Sequence, residues 1–508
     1  MSGETSIDRR PGGDRTADVR SYRTAIVWFR RDLRLHDHPA LVTAVREAER
    51  VIPLYLFDDA LLDGKWPAPN RLWFMRESVR LLDEALRARG GGMAFRRGRA
   101  ADVLPAFAAE VGADAVYVTR DYGPYARGRD RAVAEGLEAR GIRFHAKRGL
   151  LVHEPEEFLT DGGQPYAVFG PYRRRWEHLS RRPELDAPAR LSSLEGIEKG
   201  RLPSLAELGA EGPTARGILE PGEPAARARL ERWVAEGLES YADTRDQLGR
   251  DGSSRLSQDL HWGLLSPVEV VERCAGGGEG RKVYQSELAW RDFYTMVLFH
   301  NPRVTREPFH PQFKGLPFND DPAHLAAWRE GRTGYPVVDA AMRQLVALGW
   351  MHNRARMIVA SFLSKHLLAN YQIGEQYFMD HLVCGDLALN NGNWQWASST
   401  GTDPQPYFRI FNPTLQGKRY DPDGAFVRRW LPELARVPTR YLHEPWTMPE
   451  AVQRESGCAI GRDYPAPIVD HARARALALA VYGGVRDEDQ AVTAEGSGRE
   501  EAGREDAV

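Results

Sequence analysis

The chain has 508 residues, 42% of them hydrophobic, with a formal net charge of -2. That length is enough for roughly two to four domains with large cores, and the apolar content excludes a mainly disordered protein. The three cysteines, Cys274, Cys384 and Cys458, form no Cys-x-x-Cys pair, which excludes a disulfide framework or a cysteine-based zinc site and fits a reducing cytoplasm.

In chain order, Met1 to about Arg23 is polar and lacks the apolar core of a signal peptide, so residues 1–23 are expected to be a disordered leader. Short apolar runs follow at Thr24–Phe29, Val51–Phe57, Met93–Arg96, Asp114–Thr119 and Ile142–Ala146. Helix-like stretches such as Arg71–Ala88 and Arg129–Arg140 separate them. Strands alternating with amphipathic helices predict an α/β domain with a doubly wound parallel sheet over residues 24–148. No Gly-x-Gly-x-x-Gly follows the first strand, so a nicotinamide-type dinucleotide site is not expected there. Residues 149–224 are rich in Pro, Gly and Glu and predict a long, partly ordered connector over the surface. Residues 225–482 repeat their apolar positions at helical spacing and predict a large all-α domain. Residues 483–508 are acidic and nearly free of large apolar side chains, and are expected to be a disordered tail. No apolar run approaches the ~20 residues of a helical membrane span, so no membrane contact is expected.

Four segments carry candidate chemistry. The first is Tyr241 with the run Asp251–Ser257, which places Ser253, Ser254, Leu256 and Ser257 before a helical stretch. Hydroxyls and free N–H groups of that kind cradle a pyrophosphate, although an ordinary capping loop reads the same way. The second is Ser286–Tyr294, where Glu287, Trp290, Arg291 and Tyr294 share one helix face. The third is Gly349–Met357, where Asn353, Arg356 and Met357 share a face and Arg354 points elsewhere. The fourth runs from Gly385 to Trp396 and on to Pro413, with Asp386, Asn390, Trp394 and Trp396 on helical spacing. Amides hydrogen-bond the nitrogens and carbonyls of a planar heterocycle, and indoles stack on it.

These segments, with Trp28–Asp37 and Trp328–Met342, resemble the photolyase/cryptochrome family over roughly Thr24 to Arg473. Within it the chain is most similar to class I cyclobutane pyrimidine dimer photolyases. The resemblance implies FAD in the helical domain, light-driven repair of UV-damaged DNA, and a monomeric cytoplasmic enzyme. It implies phosphate-side contacts at Tyr241, Ser253, Ser254, Leu256 and Ser257, and flavin or ribityl contacts at Asn353, Arg356, Asp386 and Asn390. Arg291 matches a residue on the helix flanking the flavin, and Asn390 lies beside its redox-active nitrogen. Trp290 and Trp396 match indoles that hold the dimer, Glu287 a carboxyl that bonds its bases, and Met357 a dimer-contacting methionine. Arg245, Arg354 and Arg409 match arginines near the DNA strand. An antenna pigment in the α/β domain is also implied. Asp121–Tyr125 resembles deazaflavin-binding members, which favours 8-hydroxy-5-deazaflavin over methenyltetrahydrofolate, with Arg31 and Asp121 as contacts.

The chain departs from the family pattern at three places. Cys384 stands where the family usually has an Asp that pairs with the arginine matched by Arg356. The tryptophan chain that photoreduces the flavin keeps Trp394 but has Tyr371 in the middle and Phe318 at the surface, so slowed or rerouted photoreduction is expected. The rival readings are a cryptochrome-like blue-light signalling photoreceptor, a repair enzyme for the (6-4) lesion, and a light-independent flavin oxidoreductase. Asn390, Met357 and the short tail favour dimer repair.

Overall fold

The computed structural model describes residues 20–64, 68–404 and 406–485. Nearly all of the expected leader and tail lies outside these residues. The first strand begins two residues inside the expected leader, at Tyr22.

Five parallel strands form one sheet: β1 Tyr22–Phe29, β2 Ala48–Asp58, β3 Ala94–Gly98, β4 Ala115–Thr119 and β5 Arg143–Lys147. Their order is β3-β2-β1-β4-β5. Each expected strand is present with ends shifted by a few residues, and the two expected helices are Pro69–Arg87 and Pro124–Glu138. Side chains alternate along β1. Ala25, Val27 and Phe29 face a core shared with Leu256, Tyr284 and Leu288 of the helical region. Ile26 and Trp28 face the opposite core, built with Leu104, Phe107 and Leu137. Both faces are covered, which is why these strands read as unbroken apolar runs. The chain winds outward from β1 in both directions, so the crevice at the carboxyl ends of β1 and β4 is the topological switch point of the sheet.

The connector does more than wrap the surface. Its helix Phe169–His178 buries Phe169, Tyr172 and Trp176, and the Trp176 indole donates to Asp292 at 3.0 Å. Aromatic residues scattered among Pro and Gly give no periodic signal, so the sequence hid this packing. The helices that build the site follow: Glu279–His300, Asn353–Ser361, Tyr371–His381 and Leu387–Ala397. No described helix is long and apolar enough to cross a membrane.

The two regions meet closely. The Leu33 N–H donates to the Trp262 carbonyl at 3.1 Å. Gly263 has φ +63°, and a Cβ there would lie 2.2 Å from the Arg31 carbonyl oxygen. Only glycine fits both the backbone and the approach.

Candidate flavin and lesion site

The helical region encloses a cavity of about 430 Å³ whose walls come from all four segments singled out by sequence. The helix Glu279–His300 presents Glu287, Trp290, Arg291 and Tyr294 to it, as their spacing predicts. The helix Asn353–Ser361 presents Asn353, Arg356 and Met357. His352 caps that helix by accepting the Arg354 N–H at 3.1 Å. Burial pushes His352 down to about 4, so its ring is neutral and able to accept.

Asp386 caps the helix Leu387–Ala397, accepting from Ala388 and Leu389 N–H at 3.0 and 3.2 Å. Its other oxygen binds Arg31, which reaches across from the α/β domain, and lies 3.5 Å from His261. Burial opposes the charge on Asp386, yet Arg31 and His261 outweigh it and hold the carboxyl well below the usual range. Burial and the Arg31 charge push His261 down to about 4. One turn on, the Asn390 amide donates to the Glu375 carbonyl at 2.9 Å. That bond fixes the amide, and its oxygen has no partner among the described residues. Trp394, 2% exposed, seats over Gly374, where a Cβ would lie 2.1 Å from the indole.

The Tyr241 and Ser253–Ser257 wall is less saturated. Ser253 Oγ and Arg255 Nε are buried without a partner among the described residues. Arg255 has φ +53° and lies over the Trp350 ring at 4.3 Å. Its guanidinium makes no ion pair among the described residues. Arg255 lies in the Asp251–Ser257 run, whose pattern is dominated by hydroxyls. Asn393 and Tyr284 also line the cavity; Asn393 sits one turn from Asn390, whereas Tyr284 and Trp350 carry no local signal.

At the lesion side, Trp290 stacks on Phe169 at 3.6 Å and 10°, and on Tyr294 at 5.3 Å. Glu287 pairs with Arg245 at 2.9 Å. Burial pushes the Glu287 carboxyl up, against the pull of Arg245. Trp396 also lines the cavity. Arg354 does not: it pairs with Asp246 at 2.7 Å and covers Tyr420 at 4.5 Å. Arg409 is exposed. Arg291 lines the cavity but donates to the Leu150 carbonyl at 2.8 Å.

Arg31 binds Asp386 and lies 3.8 Å from Asp121, so it links the sheet to the helical region. Tyr371 is buried at 3% exposure with an unpartnered hydroxyl, and neither lines the cavity nor meets the Trp394 ring among the described residues. The Arg356 guanidinium lies 3.7 Å from Cys384 Sγ. The described residues hold no cluster of three or more metal-ligating side chains.

A doubly wound domain joined to a helical domain, with an amide- and indole-lined cavity beside unpartnered phosphate-suited donors, defines a nucleotide-cofactor protein of the flavin class. Comparison with known families makes this specific. The family model for DNA photolyase matches residues 25–189, and that for the FAD binding domain of DNA photolyase matches residues 284–484. A deoxyribodipyrimidine photo-lyase of Streptomyces griseus is 41% identical over 455 residues, covering 89% of this chain and 97% of that protein. The crystal structure of a bacterial class III photolyase from Agrobacterium tumefaciens superposes with TM-score 0.86 at 36% identity, covering 92% of this chain and 98% of that one. A Synechocystis sp. PCC6803 cryptochrome superposes with TM-score 0.84 at 30% identity, covering 90% of this chain and 99% of that one. This chain belongs to the DNA photolyase family and carries its FAD-binding domain.

Proposed function

We propose that this chain repairs cyclobutane pyrimidine dimers in DNA, using light absorbed by FAD held in the helical-domain cavity. The observation that carries the reading is the juxtaposition of Trp290, Trp396 and Glu287 with Asn390 around one cavity. The photo-lyase relative shares 41% identity against 30% for the cryptochrome structure, which favours repair over signalling.

The donor set fits the cofactor. Ser253 and Arg255 offer unpartnered donors to a pyrophosphate, with Tyr241, Ser254, Leu256 and Ser257 beside them. Asn353, Arg356 and the Asn390 amide suit the polar edge of a flavin ring. The cofactor supplies light-driven one-electron chemistry: an electron is lent to the dimer and returned once the cyclobutane bonds have opened. The protein's share is position. A dimer within a duplex is out of reach and must be flipped out, at least cost where the lesion already weakens pairing. Trp290, held flat by Phe169, and Trp396 stack on the flipped bases, with Met357 in contact. Glu287, held by Arg245 at 2.9 Å, presents its carboxyl to the hydrogen-bonding edges of the flipped bases. Arg245, Arg354 and Arg409 hold backbone phosphates, so binding weakens with salt. The enzyme acts as a cytoplasmic monomer. A second, antenna chromophore sits in the α/β domain. The Asp121–Tyr125 segment supports 8-hydroxy-5-deazaflavin there over methenyltetrahydrofolate, and an absorption spectrum from a host making both pigments tests it.

Flavin-loaded, chemically reduced protein is expected to repair a dimer-containing oligonucleotide under blue light and not in the dark. No repair in light despite bound FAD contradicts the reading. Trp290→Ala and Trp396→Ala are each expected to weaken dimer binding by about 1–3 kcal/mol.

A further inference from the structure

One buried lysine of the helical region has no acidic partner among the described residues. Lys365 is 1% exposed and lies in the π-helical turn Phe362–His366, which extends the helix Asn353–Ser361. Its amine donates to the Ser398 carbonyl at 3.1 Å and to the Ser399 hydroxyl at 3.0 Å. Tyr482 closes the remaining side, with its ring centre 3.2 Å from Nζ. Tyr482 is 1% exposed and belongs to a helix over residues 471–485. Burial pushes the Lys365 amine well below the usual lysine range.

Ser398 and Ser399 are where the helix Leu387–Ala397 ends. Ser398 is its C-terminal cap, and Ser399 has φ +64°, in the left-handed region that residues other than glycine rarely adopt. The Ser399 N–H returns to the Trp396 carbonyl at 3.2 Å. Upstream of this turn the helix carries Trp396 into the cavity wall, and downstream the chain leads to Arg409. We propose that Lys365 is a positioning residue for the lesion: it holds this turn, and with it Trp396 and the Arg409 segment, while Tyr482 seals its amine in place. The proposal rests on the cavity receiving the flipped dimer. Lys365 and Tyr482 themselves do not line the cavity.

The last carbonyls of a helix have no donors within it, and a cationic group there also meets the negative end of the helix dipole. Lys365 supplies that group from a neighbouring helix. Its second bond secures Ser399, and a left-handed serine persists only where its surroundings over-determine it. Tyr482 adds the face of its ring, which attracts an amine taken out of water. Tyr482 also packs in an apolar cluster with Phe313, Leu316 and Leu368, and Tyr407 and Ile410, on either side of Arg409 in the chain, pack against that cluster. The turn is therefore held through polar bonds at Lys365, and the segment beyond it through apolar contacts around Tyr482. The Tyr482 hydroxyl is buried without a partner among the described residues. The ring, and not the hydroxyl, is what Lys365 uses.

The test uses the flavin-loaded, chemically reduced full chain and a dimer-containing oligonucleotide under blue light. Lys365→Met and Tyr482→Leu are each expected to raise the dimer concentration for half-maximal repair by about tenfold, the equivalent of roughly 1.4 kcal/mol in binding. Turnover at saturating dimer and FAD bound per chain are expected to stay at the parent's values. Tyr482→Phe, which keeps the ring, should match the parent in all three. A lysine that only fills the core gives a different pattern: stability alone changes, or bound FAD and turnover fall together with affinity. Either pattern overturns the proposal, as does an unchanged half-saturation in Tyr482→Leu. If Lys365→Met does not fold, the contrast between Tyr482→Leu and Tyr482→Phe decides. A parent chain that binds FAD but repairs no dimer overturns the functional reading and the positioning role with it, whereas a working parent with unaffected variants overturns the positioning role alone.

Discussion

The switch-point crevice of the sheet and the cavity of the helical region are both rich in charge, yet they are finished differently. In the crevice, the chain answers its own charges. Arg30 pairs with Asp130 at 2.5 Å, the Thr119 hydroxyl donates to Asp32 at 2.5 Å, and Arg31 binds Asp386. In the cavity, Ser253 Oγ and Arg255 Nε face inward without partners among the described residues. A folded chain keeps buried polar groups unpaired where a ligand completes them. The comparison teaches that charge density alone does not locate a site, whereas unpartnered donors that line one cavity, as Ser253 and Arg255 do, point to it.

Breaking that contrast is most direct at Arg31. Arg31→Met leaves the buried Asp386 carboxylate without its charged partner, and is expected to cost about 3 kcal/mol of stability. Urea unfolding measures it, and adding Asp386→Asn should recover part of the loss. A cost near zero would erase the distinction between the two regions. Arg255→Met should do the reverse. Removing an unpartnered guanidinium is expected to leave the stability of the flavin-free chain unchanged while weakening FAD by about 1.5–3 kcal/mol, the range for a hydrogen bond to a charged group; fluorescence titration of FAD into the stripped protein reads it. The smallest effect concerns Cys384. Its thiol does not offset the Arg356 charge 3.7 Å away as a carboxylate would. Cys384→Asp is therefore expected to lower the flavin midpoint potential by the equivalent of about 1 kcal/mol per electron, a screened charge–charge interaction over several ångströms. An unchanged potential shows that Arg356 does not act on the flavin.

Local pattern made much of this legible. Glu287, Trp290, Arg291 and Tyr294 share a helix face because three- and four-residue spacings do so on any helix, and the structure puts all four on the cavity wall. The strands announced themselves because both sheet faces are buried. The pairing of Arg31 with Asp386 was not legible, because Arg31 sits in the turn after β1 and Asp386 lies hundreds of positions later. Phe169 gave no signal because a stacking partner in an irregular connector has no period.

The sequence by itself determined the sheet, the helices, the family and the membership of the cavity wall, since these follow from short-range periodicity and from motifs within single elements. Tertiary structure alone decided which of those side chains remain available. Whether a carboxylate is spent on a neighbouring domain, a guanidinium left free, or an indole placed against Trp328 instead of Tyr371 depends on distances between elements remote in the chain. Burial turns those distances into energies, because away from water a polar or charged group depends on the few atoms that happen to face it.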